Sequence, residues 1–137
     1  MTGLEIELIW KDDDLEDFFL KIGNGTQFCK LTIYEPIETI KRFGKSLQTF
    51  PSSLNDVIIL EMGTDTENFC FLRLEAICYN QFGHAALKIR AKDNAEIPKC
   101  FDSYFFLQCE AAAINNLGKS IVNRNFETEV LRWHPKS

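Results

Sequence analysis

Eight segments of this chain read as strands, most of them alternating apolar and polar residues with period two, and only two segments repeat at helical spacing. That imbalance limits the fold more than any other feature, because period two buries one face of a strand and helical spacing buries one stripe of a helix. Residues 4–10 set Leu4, Ile6, Leu8 and Trp10 against Glu5 and Glu7, the pattern of a strand with one solvated face. An acidic turn at 11–14 leads to a second strand at 15–22. Gly23-Asn24-Gly25 tolerates positive φ, so a hairpin into a third strand at 27–35 is predicted. Residues 56–62, 69–79 and 84–92 follow as strands, the last two joined by a turn at Asn80-Gln81-Phe82-Gly83. After a polar loop at 93–98, residues 100–109 align Phe101, Phe105, Leu107 and Cys109 on a further strand, and 128–133 add a short last one.

The period changes after Pro36, where Ile37, Ile40, Phe43 and Leu47 recur at helical spacing. Proline suits a first helical turn, and the helix should stop before Pro51. A second helix is marked by Ala111, Ile114, Leu117 and Ile121 and weakened by Gly118. Runs of strands with few helices predict an α+β fold rather than a doubly wound one. The expected form is an antiparallel sheet of about seven or eight strands with two helices packed on it, in the order βββαββββα(β). The 137 residues fit a single domain, 1–137, large enough to bury one sizeable core.

Charge narrows the choice of partner. The net charge is −5, but residues 1–17 hold Glu5, Glu7, Asp12, Asp13, Asp14, Glu16 and Asp17 against Lys11 alone. That is −6 in the first 17 residues, leaving +1 for the rest of the chain. Phosphate backbones need basic patches, so a nucleic-acid partner is disfavoured and a basic protein favoured. Asp12, Asp13, Asp14, Glu16 and Asp17 are the first candidate contact residues, with Asp65 and Glu67 in another loop as the second choice. No apolar run approaches the ~20 residues that span a bilayer, and the N-terminus has no basic and apolar leader pattern, so no membrane partner and a cytoplasmic location are expected.

Motifs of catalysis are weak throughout. Gly44-Lys45-Ser46 and Gly118-Lys119-Ser120 resemble the tail of a phosphate-binding loop, but Thr39 and Ala113 stand where that loop needs its first glycine. Asp17 occupies the position where a calcium loop of the EF-hand type needs glycine. Cys29, Cys70, Cys78, Cys100 and Cys109 are odd in number and lack C-x-x-C spacing, so they read as small apolar residues of a reducing compartment rather than zinc ligands. His84 and His134 leave a Cys–His pair arithmetically open, and Glu61 with Glu75 an acid–base pair, without any signature for either. Asn24-Gly25-Thr26 matches a glycosylation sequon but reads as a turn. No cofactor and no catalytic residue is therefore assigned. Twelve phenylalanines place aromatics on both faces of strands, as in Phe18-Phe19, Phe69/Phe71 and Phe105-Phe106. One face enters the core, and the other is expected to lie under a helix rather than form an open patch.

The stretch Phe71-Leu72-Arg73-Leu74-Glu75-Ala76 with Phe82-Gly83-His84-Ala85-Ala86-Leu87-Lys88-Ile89 resembles a hairpin of small bacterial proteins. With the following strand and helix, the C-terminal two-thirds of the chain is similar to immunity proteins of bacterial contact-dependent growth inhibition systems. The resemblance implies a cytoplasmic protein that blocks one toxin domain, often a nuclease. An inhibitor needs no catalytic residues, so the chain is expected not to be an enzyme, and to be a monomer or weak dimer when free. It carries over no binding residues. Two other readings remain open. One is a small-ligand binder or enzyme with a pocket between sheet and helices, centred on His84 or Glu61. The other is an oligomer subunit joined through exposed phenylalanines.

Overall fold

A computed structural model describes residues 1–13 and 15–135. It contains β1 (Thr2–Lys11), β2 (Glu16–Asn24), β3 (Phe28–Glu35), α1 (Ile37–Leu47), β4 (Ile58–Gly63), β5 (Cys70–Cys78), β6 (Ala85–Asp93), β7 (Phe101–Cys109), α2 (Ala111–Asn123) and β8 (Leu131–Trp133). The α+β class, the element order and the antiparallel pairing are those the periodicity predicts. The eight strands divide between two four-stranded sheets, ordered β3-β2-β1-β8 and β4-β5-β6-β7. Each sheet is a run of neighbours in sequence, and the short β8 closes the first sheet by pairing with β1.

One face of each sheet and one stripe of each helix meet in a single core. The first sheet contributes Leu4, Ile6, Phe18, Leu20, Ile22, Leu31 and Ile33, and the second Leu60, Leu72, Leu74, Leu87, Ile89, Phe105 and Leu107. Each such side chain, fully removed from water, stabilises the fold by roughly 1.5–3 kcal/mol before chain entropy is counted. The two helices also pack on each other. Gly44 and Gly118 face one another at their crossing, where a Cβ on Gly118 would lie 2.6 Å from the Gly44 carbonyl oxygen. The two Gly-Lys-Ser triplets are thus the two sides of one close helix contact, which explains their glycines without a phosphate.

The helices turn inward, and this overturns the expected cover for the second aromatic face. Phe18 and Phe105 lie in the core, but Phe69 and Phe106 stand exposed. The turns follow the sequence closely. Asn24 accepts the N–H groups of Thr26 and Gln27, and its side-chain amide donates to the Phe106 carbonyl across the sheets at 3.0 Å. The apparent sequon is therefore a turn that ties the two sheets together.

Candidate functional site

The alternation read for β1 fails at one point, and the failure builds the most distinctive surface of the molecule. Leu8 pairs with Phe18, but the next register pair is Trp10 with Asp17, so Ile9 is an extra, bulged residue. A bulge flips the faces of the residues beyond it and re-aims their side chains. Trp10 therefore does not join Leu4, Ile6 and Leu8 in the core as expected, but points outward, 53 % exposed. Asp17 also pairs with Tyr34 of β3, which is 54 % exposed. Directly opposed residues share a face of the sheet. Because β2 lies between β1 and β3, the outer face carries the row Trp10, Asp17, Tyr34. Ile9 and Leu15 are exposed beside it, and Phe19 and Glu7 form the next row.

The acidic segment divides into separate roles here. Asp12 shapes the hairpin, accepting the Leu15 N–H at 2.8 Å while its own N–H donates to the Leu15 carbonyl. Asp13 is exposed, and Asp14 lies outside the described residues. Glu16 is buried on the inner side and so is not a free contact residue as the sequence suggested. It sits beside the start of α1 in a notch of about 150 Å³ with Lys11, Lys41 and Arg124. Burial pushes its carboxyl pKa up, and the backbone N–H of Ile37 partly offsets this by stabilising the charged form, as anions at a helix N-terminus are stabilised. Asp17 is also buried, only 9 % exposed, and its Oδ1 has no hydrogen-bond partner among the described residues. Burial raises its pKa. Neither Glu16 nor Asp17 can therefore act as the freely solvated steering charge expected of the acidic cluster.

The second-choice residues lie elsewhere. Asp65 is held by Lys92 at 2.9 Å and by Asn94 at 3.0 Å, which keep its carboxyl below the usual range, and Glu67 is exposed in the same loop. Asp65 belongs to a lattice of compensating charges on the outer face of the second sheet. Arg73 pairs with Glu61 at 2.6 Å, Arg90 with Asp102 at 2.7 Å, and Lys88 approaches Glu75 at 3.7 Å. Exposed pairs of this kind are screened by water and add little to stability, and their compensating charges leave little net field to steer a partner.

The residues proposed for a pocket do not converge. Glu61 is on that outer lattice, and His84 lies at the β5–β6 turn, its Nδ1 2.8 Å from the Asn80 side-chain amide. A surface hollow of about 420 Å³ does bring His84 near Cys109. Burial pushes the Cys109 thiol up to about 11, the opposite of the depressed value a thiolate nucleophile needs. Among the described residues, no group of three His, Cys, Asp or Glu side chains is placed to hold a metal ion, and no helix is long and apolar enough to cross a membrane. Compared with protein-family models, curated proteins and solved structures, the chain gives no match in any of the three.

Sequence reasoning missed Trp10, Ile9, Leu15 and Tyr34 as surface residues. The signal was present in Leu8-Ile9-Trp10: three consecutive apolar residues cannot all face the same side of a strand.

Proposed function

We propose that the chain is a stoichiometric inhibitor of the immunity type, which binds and neutralises one basic toxin domain through the outer face of the bulged β1–β2 hairpin. The observation that carries this reading is the cluster of half-exposed Trp10 and Tyr34 with exposed Ile9 and Leu15, bordered by Glu7, Asp12 and Asp13. Aromatic anchors within a polar rim are the anatomy of protein contact surfaces, where a few Trp, Tyr and Arg residues dominate the binding energy. Acidic rims speed encounter with a basic partner. Nuclease domains are commonly basic because they bind phosphate, and an inhibitor needs no catalytic groups of its own. The sequence resemblance to immunity proteins supports the same reading.

The test uses the tagged chain as bait in an extract of its native host, with mass spectrometry as readout. The expected result is one basic partner, the toxin domain of a larger protein, whose purified activity falls to zero at a one-to-one ratio. Reversing exposed Glu7 and Asp13 to lysine, which leaves the Asp12 turn intact, should slow association and flatten its salt dependence. Failure to block the activity of any captured partner overturns the proposal.

A further inference from the structure

The row Trp10–Asp17–Tyr34 has the parts of a receptor for a single cationic side chain. Neighbouring strands lie about 4.8 Å apart, so Trp10 and Tyr34, two strands apart, flank Asp17 with roughly 9–10 Å between their backbones. A planar group stacked about 3.5–4.0 Å from each ring needs roughly 7–8 Å between the rings, which is less than the separation of the backbones that carry them. At the centre is a carboxylate, 9 % exposed, whose Oδ1 has no hydrogen-bond partner among the described residues. A buried carboxylate without a partner destabilises the free protein and is explained when a ligand completes it. The same face already shows a cation over an aromatic ring, with Lys21 Nζ 5.5 Å from the Phe19 centroid. The bulge at Ile9 is what brings Trp10 to this position, and bulges recur where a side chain is re-aimed for use.

We propose that this row receives one arginine side chain of the protein that the chain binds, its guanidinium stacked between Trp10 and Tyr34 and paired to the Asp17 carboxylate. This rests on the reading of the chain as a binder of a basic protein. Arginine fits better than lysine because its planar fork stacks on rings and bonds a carboxylate at two points, whereas an ammonium is a compact, strongly hydrated point charge. Trp10 and Tyr34 are half-exposed, so rotation of these surface rings, rather than opening of the core, would uncover the carboxylate.

The test is an NMR titration of the ¹⁵N-labelled chain with N-acetylarginine amide, at concentrations up to the order of tens of millimolar. N-acetylcitrulline amide, of the same shape without the charge, and N-acetyllysine amide serve as comparisons. The Trp10 indole N–H is the reporter. The Trp133 indole, which is buried and donates to the Ala113 carbonyl at 3.0 Å, is the internal control. The expected result is a saturable shift of Trp10 and of the Asp17 and Tyr34 amides with the arginine amide, at least about tenfold weaker with the lysine amide, absent with citrulline and lost in Asp17→Asn. Tyr34→Leu, at an exposed position, should weaken binding without disturbing the Trp133 signal. No saturable shift, or an equal response to citrulline or lysine, overturns the assignment. A captured toxin bound equally well by wild type and Asp17→Asn removes the receptor but leaves the inhibitor reading intact. Arginine binding with no toxin partner does the reverse.

Discussion

Gly118→Ala offers a quantitative check on the helix crossing. A Cβ at this position would lie 2.6 Å from the Gly44 carbonyl oxygen, 2.9 Å from Leu47 Cβ and 3.0 Å from the Gln48 nitrogen. Two of these atoms are backbone, so they move only if α1 moves. Restoring ordinary contact at about 3.4 Å requires roughly 0.8 Å of retreat, the difference between 3.4 and 2.6. Overpacking of this kind costs about 1–3 kcal/mol. The intrinsic gain of alanine over glycine in a helix is about 0.8–1.0 kcal/mol in the opposite sense. The net expectation is a loss of up to about 2 kcal/mol, or a fall in Tm of up to roughly 10 °C for a domain of this size. Calorimetry of wild type, Gly118→Ala and the exposed neighbour Lys119→Ala measures it, the last within about 0.5 kcal/mol of wild type. A Tm for Gly118→Ala above wild type would refute the crossing, because helix propensity would then act unopposed.

Three further outcomes are expected. Burial raises the Asp17 pKa above its ordinary 3.8, so the folded chain holds this proton to higher pH than the unfolded chain does. Its destabilising effect is therefore absent below the unfolded value and grows as pH rises through the folded one. Asp17→Asn should be ~1–3 kcal/mol more stable than wild type near pH 7, the difference closing towards about pH 3 in urea melts; a pH-independent difference would contradict the assignment. Lys41 Nζ donates to the carbonyls of Ile121 and Arg124, at 2.6 and 2.5 Å, and closes the C-terminal end of α2. Lys41→Met keeps the stem and removes these bonds, so its urea midpoint should fall by the equivalent of about 1–3 kcal/mol, and an unchanged midpoint would remove Lys41 from that role. Burial pushes the Cys29 and Cys109 thiols up to about 11. At about pH 8, alkylation followed by mass spectrometry should therefore mark exposed Cys100 well before either, and early labelling of Cys29 would contradict its placement.

Periodicity made the fold class readable because it reports one face at a time. Apolar residues at alternate positions, such as Leu72 and Leu74 or Leu87 and Ile89, locate β4 to β7, and the helical repeats at Ile37–Leu47 and Ala111–Ile121 locate both helices. Periodicity does not report which sheet a strand joins, since β8 pairs with β1 from the far end of the chain. The candidate site was legible only in part. Charge counting found the acidic segment, but it could not tell solvated Asp13 from buried Asp17, a distinction set by the aromatic neighbours that β1 and β3 supply. Glu16 was placed on the surface for the same reason: nothing local shows that α1 begins beside it. A one-residue bulge moved Trp10 from the expected core to the surface, and only the apolar run Leu8-Ile9-Trp10 marked it. Gly44 and Gly118 looked like fragments of a phosphate loop because a close helix contact and a phosphate cradle both need a missing side chain.

The central claim, that the bulged hairpin face is the contact surface, is tested most directly by calorimetric titration of the captured toxin domain with three forms of the chain. Wild type, Trp10→Ala and Phe106→Ala remove, respectively, nothing, the proposed anchor, and an exposed aromatic of the second sheet. The expected result is a loss of at least ~2 kcal/mol, roughly thirtyfold in Kd, for Trp10→Ala and no change for Phe106→Ala. The reverse pattern, with Phe106→Ala weakened and Trp10→Ala unaffected, would contradict the account and move the contact surface to the second sheet.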